Sequence, residues 1–199
     1  MTRQAADLII YEAESYELLG DSSGQLPMVK QYGMQPRNWS TANHKGYVAE
    51  YAIIDHRLML TSLMIQDAAD YYPEIGGIQP ITPEPFRVPM YSPLLEPMLI
   101  TGAITMDKGE PENWHSFDIR SVHDYVIALK ITLKDGIVQS VEDISELAAV
   151  IRVKLQQIIK EREAQPGFPF AKPPPLPEEW NKLFDESWVL RYSTKDNEG

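Results

Sequence analysis

The side chains with the widest chemical reach in this chain are its four histidines, His44, His56, His115 and His123. A structural or catalytic metal usually draws its ligands from close spacings such as H-x-x-x-H, with cysteine or carboxylate help. None of the four stands in such a spacing, and the chain has no cysteine, which also removes disulfides and thiolate nucleophiles. His115 and His123 flank Asp118 and Asp124, so a folded cluster is conceivable there, but Asp/His loops usually just face water. No metal and no cofactor is expected. No serine sits in G-x-S-x-G, and neither glycine-rich phosphate loop is present. Gly76-Gly77 lies beside prolines, without a helix start on which a phosphate would sit. Carboxylate pairs such as Glu12 with Glu14, or Glu110 with Glu112, are expected by chance among 29 acidic residues. No catalytic residue is assigned, and a non-enzyme is the simpler expectation.

The most individual stretch runs from Trp39 through Ser40, Thr41, Ala42, Asn43, His44, Lys45 and Gly46 to Tyr47. An indole, a hydroxyl, an amide, an imidazole and a phenol could together form a small polar ligand site, with Trp39, Thr41, Asn43, His44 and Tyr47 as its candidate residues. The competing reading is structural. In it Trp39 plugs the end of a sheet while Thr41 and Asn43 satisfy loop backbone groups.

The elements that must position this stretch are mostly strands. Gly46–Ile54 and Arg57–Ile65 form a hairpin joined by Asp55-His56, two of the non-glycine residues that best tolerate positive φ. Both arms are apolar on both sides, as in the middle of a covered sheet. Tyr125–Leu133 and Ile137–Val141, joined through Lys134-Asp135-Gly136, form a second hairpin with a strong Asp-Gly turn signal. Leu8–Tyr11 and Tyr16–Leu19 suggest a third, turning in the polar stretch between them. Met98–Met106 is a further strand, with Gly102 marking a bulge or close approach. Residues 20–38 read as a loop, and residues 66–97, with seven prolines, as an irregular excursion.

After the second hairpin the period changes. Asp143 and Glu146 resemble a capping box, and Ile144, Leu147, Ala148, Ile151, Leu155, Ile158 and Ile159 form a helical stripe ending near Glu163. Val150 and Val153 lie off that stripe and are candidate partner-facing residues. Residues 166–177 are proline-rich and favour an extended strap. The expected fold is therefore α+β: a mainly antiparallel sheet of six or more strands, one long helix packed on it, and a proline-rich strap. Residues 1–164 would be one β-rich domain. Residues 165–199 would pack back in cis, or swap between copies to make an oligomer.

The totals narrow the function. With 18 basic against 29 acidic residues, the formal charge is −11. Such a surface repels phosphate backbones and anionic lipids, so neither nucleic acid nor membrane is an expected partner, whereas a basic protein would be steered toward it. The apolar run near the amino terminus is too short for a secretory signal, and no stretch approaches the ~20 apolar residues that span a bilayer. A cytoplasmic location is the expectation.

One resemblance adds to this. Ser40-Thr41-Ala42-Asn43-His44-Lys45-Gly46-Tyr47-Val48-Ala49-Glu50-Tyr51 is similar to a Ser/Thr-Thr-Ala-x-Trp-Arg-Gly-Tyr-x-Ala-x-Trp stretch in an uncharacterised family of bacterial proteins. Leu8–Tyr11, Tyr16–Leu18, Leu58-Met59-Leu60, Thr101-Gly102 and Leu133–Val138 look similar too. His44 and Tyr51 stand where that pattern has tryptophan, and Lys45 where it has arginine. The resemblance implies a bacterial source and a β-rich core, and no activity. The leading functional expectation is a non-catalytic acidic binding module, such as an inhibitor or immunity-type partner of a basic protein. A ligand-binding or enzymatic site at 39–47, or a structural role in assembly, is the alternative.

Overall fold

Three two-residue turns set the strand pairing. Glu12-Ala13, Asp55-His56 and Asp135-Gly136 each place both residues at positive φ, the backbone that matches the right-handed twist of a hairpin. Around them the computed structural model, which describes residues 4–85, 87–109 and 125–163, builds nine strands, one α-helix and a single 3-10 turn at Val29–Tyr32. The strands are β1 (Asp7–Tyr11), β2 (Glu14–Asp21), β3 (Tyr47–Ile54), β4 (Arg57–Ile65), β5 (Met90–Tyr91), β6 (Glu96–Pro97), β7 (Gly102–Lys108), β8 (Ile127–Lys134) and β9 (Ile137–Asp143). The helix, α1, spans Ser145–Glu163.

Both predicted hairpins are present, as β3–β4 and β8–β9, and β1–β2 forms the third. The mainly antiparallel sheet of six or more strands expected from the sequence is present, but as a closed barrel. Seven strands close into a barrel in the order β3-β1-β2-β7-β8-β9-β4, with β4 returning to β3. Every neighbouring pair is antiparallel except β1–β3, which is parallel, with Ile9 beside Tyr51. Bulges in the β2–β7, β3–β4 and β8–β9 pairs raise the local twist and curl the sheet on itself. Closure abolishes most of the sheet edge.

Alternation then explains the core. Ile9, Leu18, Ala49, Tyr51, Leu58, Leu60, Leu63, Ile104, Met106, Ile131 and Leu133 all point into the barrel and are buried. The proline-rich excursion is better ordered than its composition suggests. It supplies β5 and β6 to the second edge of β4 and adds buried Ile75, Tyr91 and Leu94 to the same core, beside Met98 and Ile100 of the segment that follows it.

One narrow seam shuts the barrel. β4 and β9 pair only at Arg57 and Ile137, flanked by Leu58 N–H donating to the Gly136 carbonyl (2.9 Å) and Val138 N–H donating to the His56 carbonyl (2.8 Å). The segment before β7, where the strand predicted from Met98 has not yet begun, reinforces it: Gly136 N–H donates to the Ile100 carbonyl (2.8 Å), and Met98 N–H to the Leu58 carbonyl (2.9 Å). Beyond Val138, β9 runs past the β3–β4 turn, and that edge has no strand neighbour among the described residues.

The helix docks more modestly than a long sheet-covering helix would. Ile144, just before it, and Leu147, Ala148 and Ile151 of its first turns pack over Ala128 of β8 and Leu19 of β2, on the outside of the barrel. Arg152 donates to the Tyr125 carbonyl, and the Asp143 carboxylate accepts from the backbone N–H of Ser145 (2.9 Å) rather than forming a reciprocal box with Glu146. The proline-rich strap lies outside the described residues, as do His115, His123, Asp118 and Asp124.

Two substitutions test this account. A Cβ at position 136 would collide with the Met98 carbonyl, and its φ is +74°. Gly136→Ala should therefore cost about 3 kcal/mol, read as a lower denaturation midpoint. Conversely Ala13 holds a φ of 64°, a left-handed backbone that costs a residue bearing a Cβ roughly 1–2 kcal/mol. Ala13→Gly should raise stability by about 1 kcal/mol in the same experiment.

Candidate functional site

The loop singled out from sequence lies at the end of the barrel where β1 and β3 begin. Asn43, buried, spends its side chain on the loop itself: its Nδ2 donates to the Tyr47 carbonyl (2.8 Å), and its Oδ1 accepts from Gly46 N–H (2.7 Å). Gly46 is required there, since a Cβ would come within 2.6 Å of the Arg37 backbone nitrogen. His44 is exposed, with its Nδ1 2.9 Å from Asn38 Nδ2 and its N–H donating to Gln4 Oε1. Thr41 is exposed, Trp39 is half-buried, and the half-buried Tyr47 packs against the core. The structure thus joins Asn43 to the Tyr47 backbone and leaves His44 and Thr41 on the outer surface.

Beneath this loop lies an ion pair. Lys45 Nζ is 2.6 Å from Asp7 Oδ1 and 4.7 Å from the centre of the Tyr47 ring, and Asp7 also accepts from Ala49 N–H at 2.8 Å. Burial pushes the Asp7 carboxyl above its ordinary value, while Lys45 and Ala49 pull it back. The nearby Asp67 balances the same terms the other way. Burial again opposes its charge, but the backbone N–H groups of Gln35, Tyr71, Ala69 and Ala68 prevail and hold its carboxyl below the usual range. Both acids are anchors, tying β1 and the 34–37 segment to the strands beside them.

The opposite end of the barrel carries exposed apolar and charged groups together. Because β1 and β3 run parallel, the turns that follow them, Glu12-Ala13 and Asp55-His56, stand side by side. β9 rises past the second of these turns, and β7 ends and β8 begins at the same level. The inner face at this mouth carries Tyr11 opposite Glu14, Lys108 opposite Ile127, and Val141 opposite Ile131. Tyr11, Tyr16, Ile53 and Leu129 floor it against the core. Ile127 and Val141 remain 39% and 38% exposed.

Its electrostatics are lopsided. Glu12, Glu14, Asp55, Glu142, Asp143 and Glu146 are exposed around this end. The cations among them are Lys108, bonded to Glu14, Lys130, 3.9 Å from Glu142, and Arg57. Lys108 Nζ also lies 5.9 Å from the centre of the Tyr16 ring. The Glu14 hydrogen bond raises the Lys108 ammonium above its ordinary value, and burial, helped by Glu12, raises the Tyr11 phenol. Sequence reasoning missed this mouth, because its members come from five strands. The signal available was the non-glycine turn at Glu12-Ala13, whose strained backbone is the kind that clusters at functional sites.

The remaining expectations divide as follows. Val150 and Val153 are 48% and 65% exposed on α1, away from the docked stripe. No three His, Asp or Glu side chains among the described residues group as a metal site, and no helix among them is long and apolar enough to cross a membrane. Comparison with protein-family models, curated proteins and solved structures finds no match to the chain.

The Asp7–Lys45 pair yields a test with a sign. Lys45→Met leaves a buried carboxylate without its cation and should cost about 3 kcal/mol near pH 7. Asp7 then titrates still higher in the folded protein than in the unfolded chain. Its contribution is present below the unfolded value and is lost as pH rises through the folded one. The variant's deficit should therefore shrink on acidification, measured by denaturant melts from about pH 8 to about pH 4; a deficit independent of pH would refute the pairing.

Proposed function

We propose that the chain is a non-catalytic, acidic protein-binding module whose recognition surface is the barrel mouth and whose partner is a basic protein. The observation that carries this reading is the exposed carboxylate rim, Glu12, Glu14, Asp55, Glu142, Asp143 and Glu146, set around exposed Ile127 and Val141. Apolar contacts at the centre with charge at the edge is how protein interfaces divide affinity from steering. The overall charge of −11 favours the same partner at longer range.

The test is capture of partners on immobilised protein from extracts of the source cells, beside the triple variant E12Q/D55N/E142Q. A basic protein eluting from the wild type at moderate salt should bind the variant at least about tenfold more weakly, at ~0.5 kcal/mol per neutralised charge. Equal capture by the two proteins, or no stoichiometric basic partner, would overturn the proposal.

A further inference from the structure

We infer that the mouth recognises one cationic side chain of its partner, arginine best, and that Lys108 is the chain's own occupant of that position, displaced on binding. This rests on the basic-partner reading above and adds the group recognised and a built-in competitor. A cation is already seated there: Lys108 bonds the Glu14 carboxylate and lies against the Tyr16 ring. A carboxylate beside an aromatic face is what a guanidinium uses best, through two parallel N–H bonds and stacking on the ring.

The resident lysine is held loosely enough to leave. Its side chain is 40% exposed and that of Glu14 57%, and ion pairs so open to water contribute little to stability. Displacement frees Lys108 to extend into solvent, while an incoming arginine lays its aliphatic stem along Ile127 and Val141, the exposed apolar residues of the mouth. A lysine ammonium is more strongly hydrated and lacks the planar fork, so it exchanges for arginine at a gain. The opposing charges of the rim bring the basic segment in before the exchange occurs.

The experiment uses the full chain and a fluorescein-labelled hexa-arginine peptide, with anisotropy titrations at low salt. Lys108→Ala should bind at least about threefold more tightly than wild type, and Glu14→Gln at least about threefold more weakly. Two variants control for charge alone. Lys134→Ala makes the same change as Lys108→Ala at the far end of β8, roughly 24 Å away along the strand. Glu84→Gln neutralises an exposed acid in the excursion. If Lys108→Ala and Lys134→Ala shift binding equally, Lys108 is not the occupant and this inference fails, while the basic-partner reading stands. If Glu14→Gln behaves as Glu84→Gln, the cation is not read at Glu14 and the inference fails in the same way. Absence of peptide binding by every protein would overturn both.

Discussion

The architecture hinges on a seam one residue pair wide. Across it Leu58 N–H donates to the Gly136 carbonyl and Val138 N–H to the His56 carbonyl, while Met98 and Ile100, in the segment leading into β7, bond Leu58 and Gly136. Without that junction the seven strands would be a curled open sheet, and Ile131 and Leu133 would face water instead of Leu58 and Leu60. The absence of a side chain at Gly136 lets three backbones meet there. A glycine that sequence alone reads as a turn residue therefore also carries the closure of the fold.

Much of the local structure was legible in the residues. Asp55-His56 and Asp135-Gly136 gave both long hairpins, since few residue pairs accept positive φ twice, and the shift from alternation to a helical stripe after Asp143 placed the start of α1. The parallel pairing of β1 with β3 was not legible, because the partners lie some forty positions apart and periodicity records no long-range neighbours. Closure was hidden for the same reason. The apolar residues on both faces of β3 and β4 suggested a doubly covered sheet. The barrel instead buries Tyr51 and Leu60 inside, with Ala52 and Met59 on its outer wall.

The candidate site shows the same division. Trp39–Tyr47 drew notice because its residue types are chemically versatile, yet Asn43 turns its versatility inward and satisfies the loop backbone. The mouth drew none, because each of its residues is ordinary alone. Tyr11, Glu14, Lys108, Ile127 and Val141 acquire meaning only when β1, β2, β7, β8 and β9 converge. Charge was legible as a total but not as a location: only the fold gathers Glu12, Glu14, Asp55, Glu142, Asp143 and Glu146 around one end of the barrel.

The upper part of β9 has a further consequence. Past Val138 its backbone is offered along one side without a strand neighbour among the described residues, a template on which another copy could stack edge to edge. Glu142 and Asp143 sit along that stretch, and two chains meeting there would bring like charges together. The carboxylates assigned to drawing in a basic partner would then also act as gatekeepers against self-association. Neutralising them would remove that repulsion together with the charge on which the proposed binding depends.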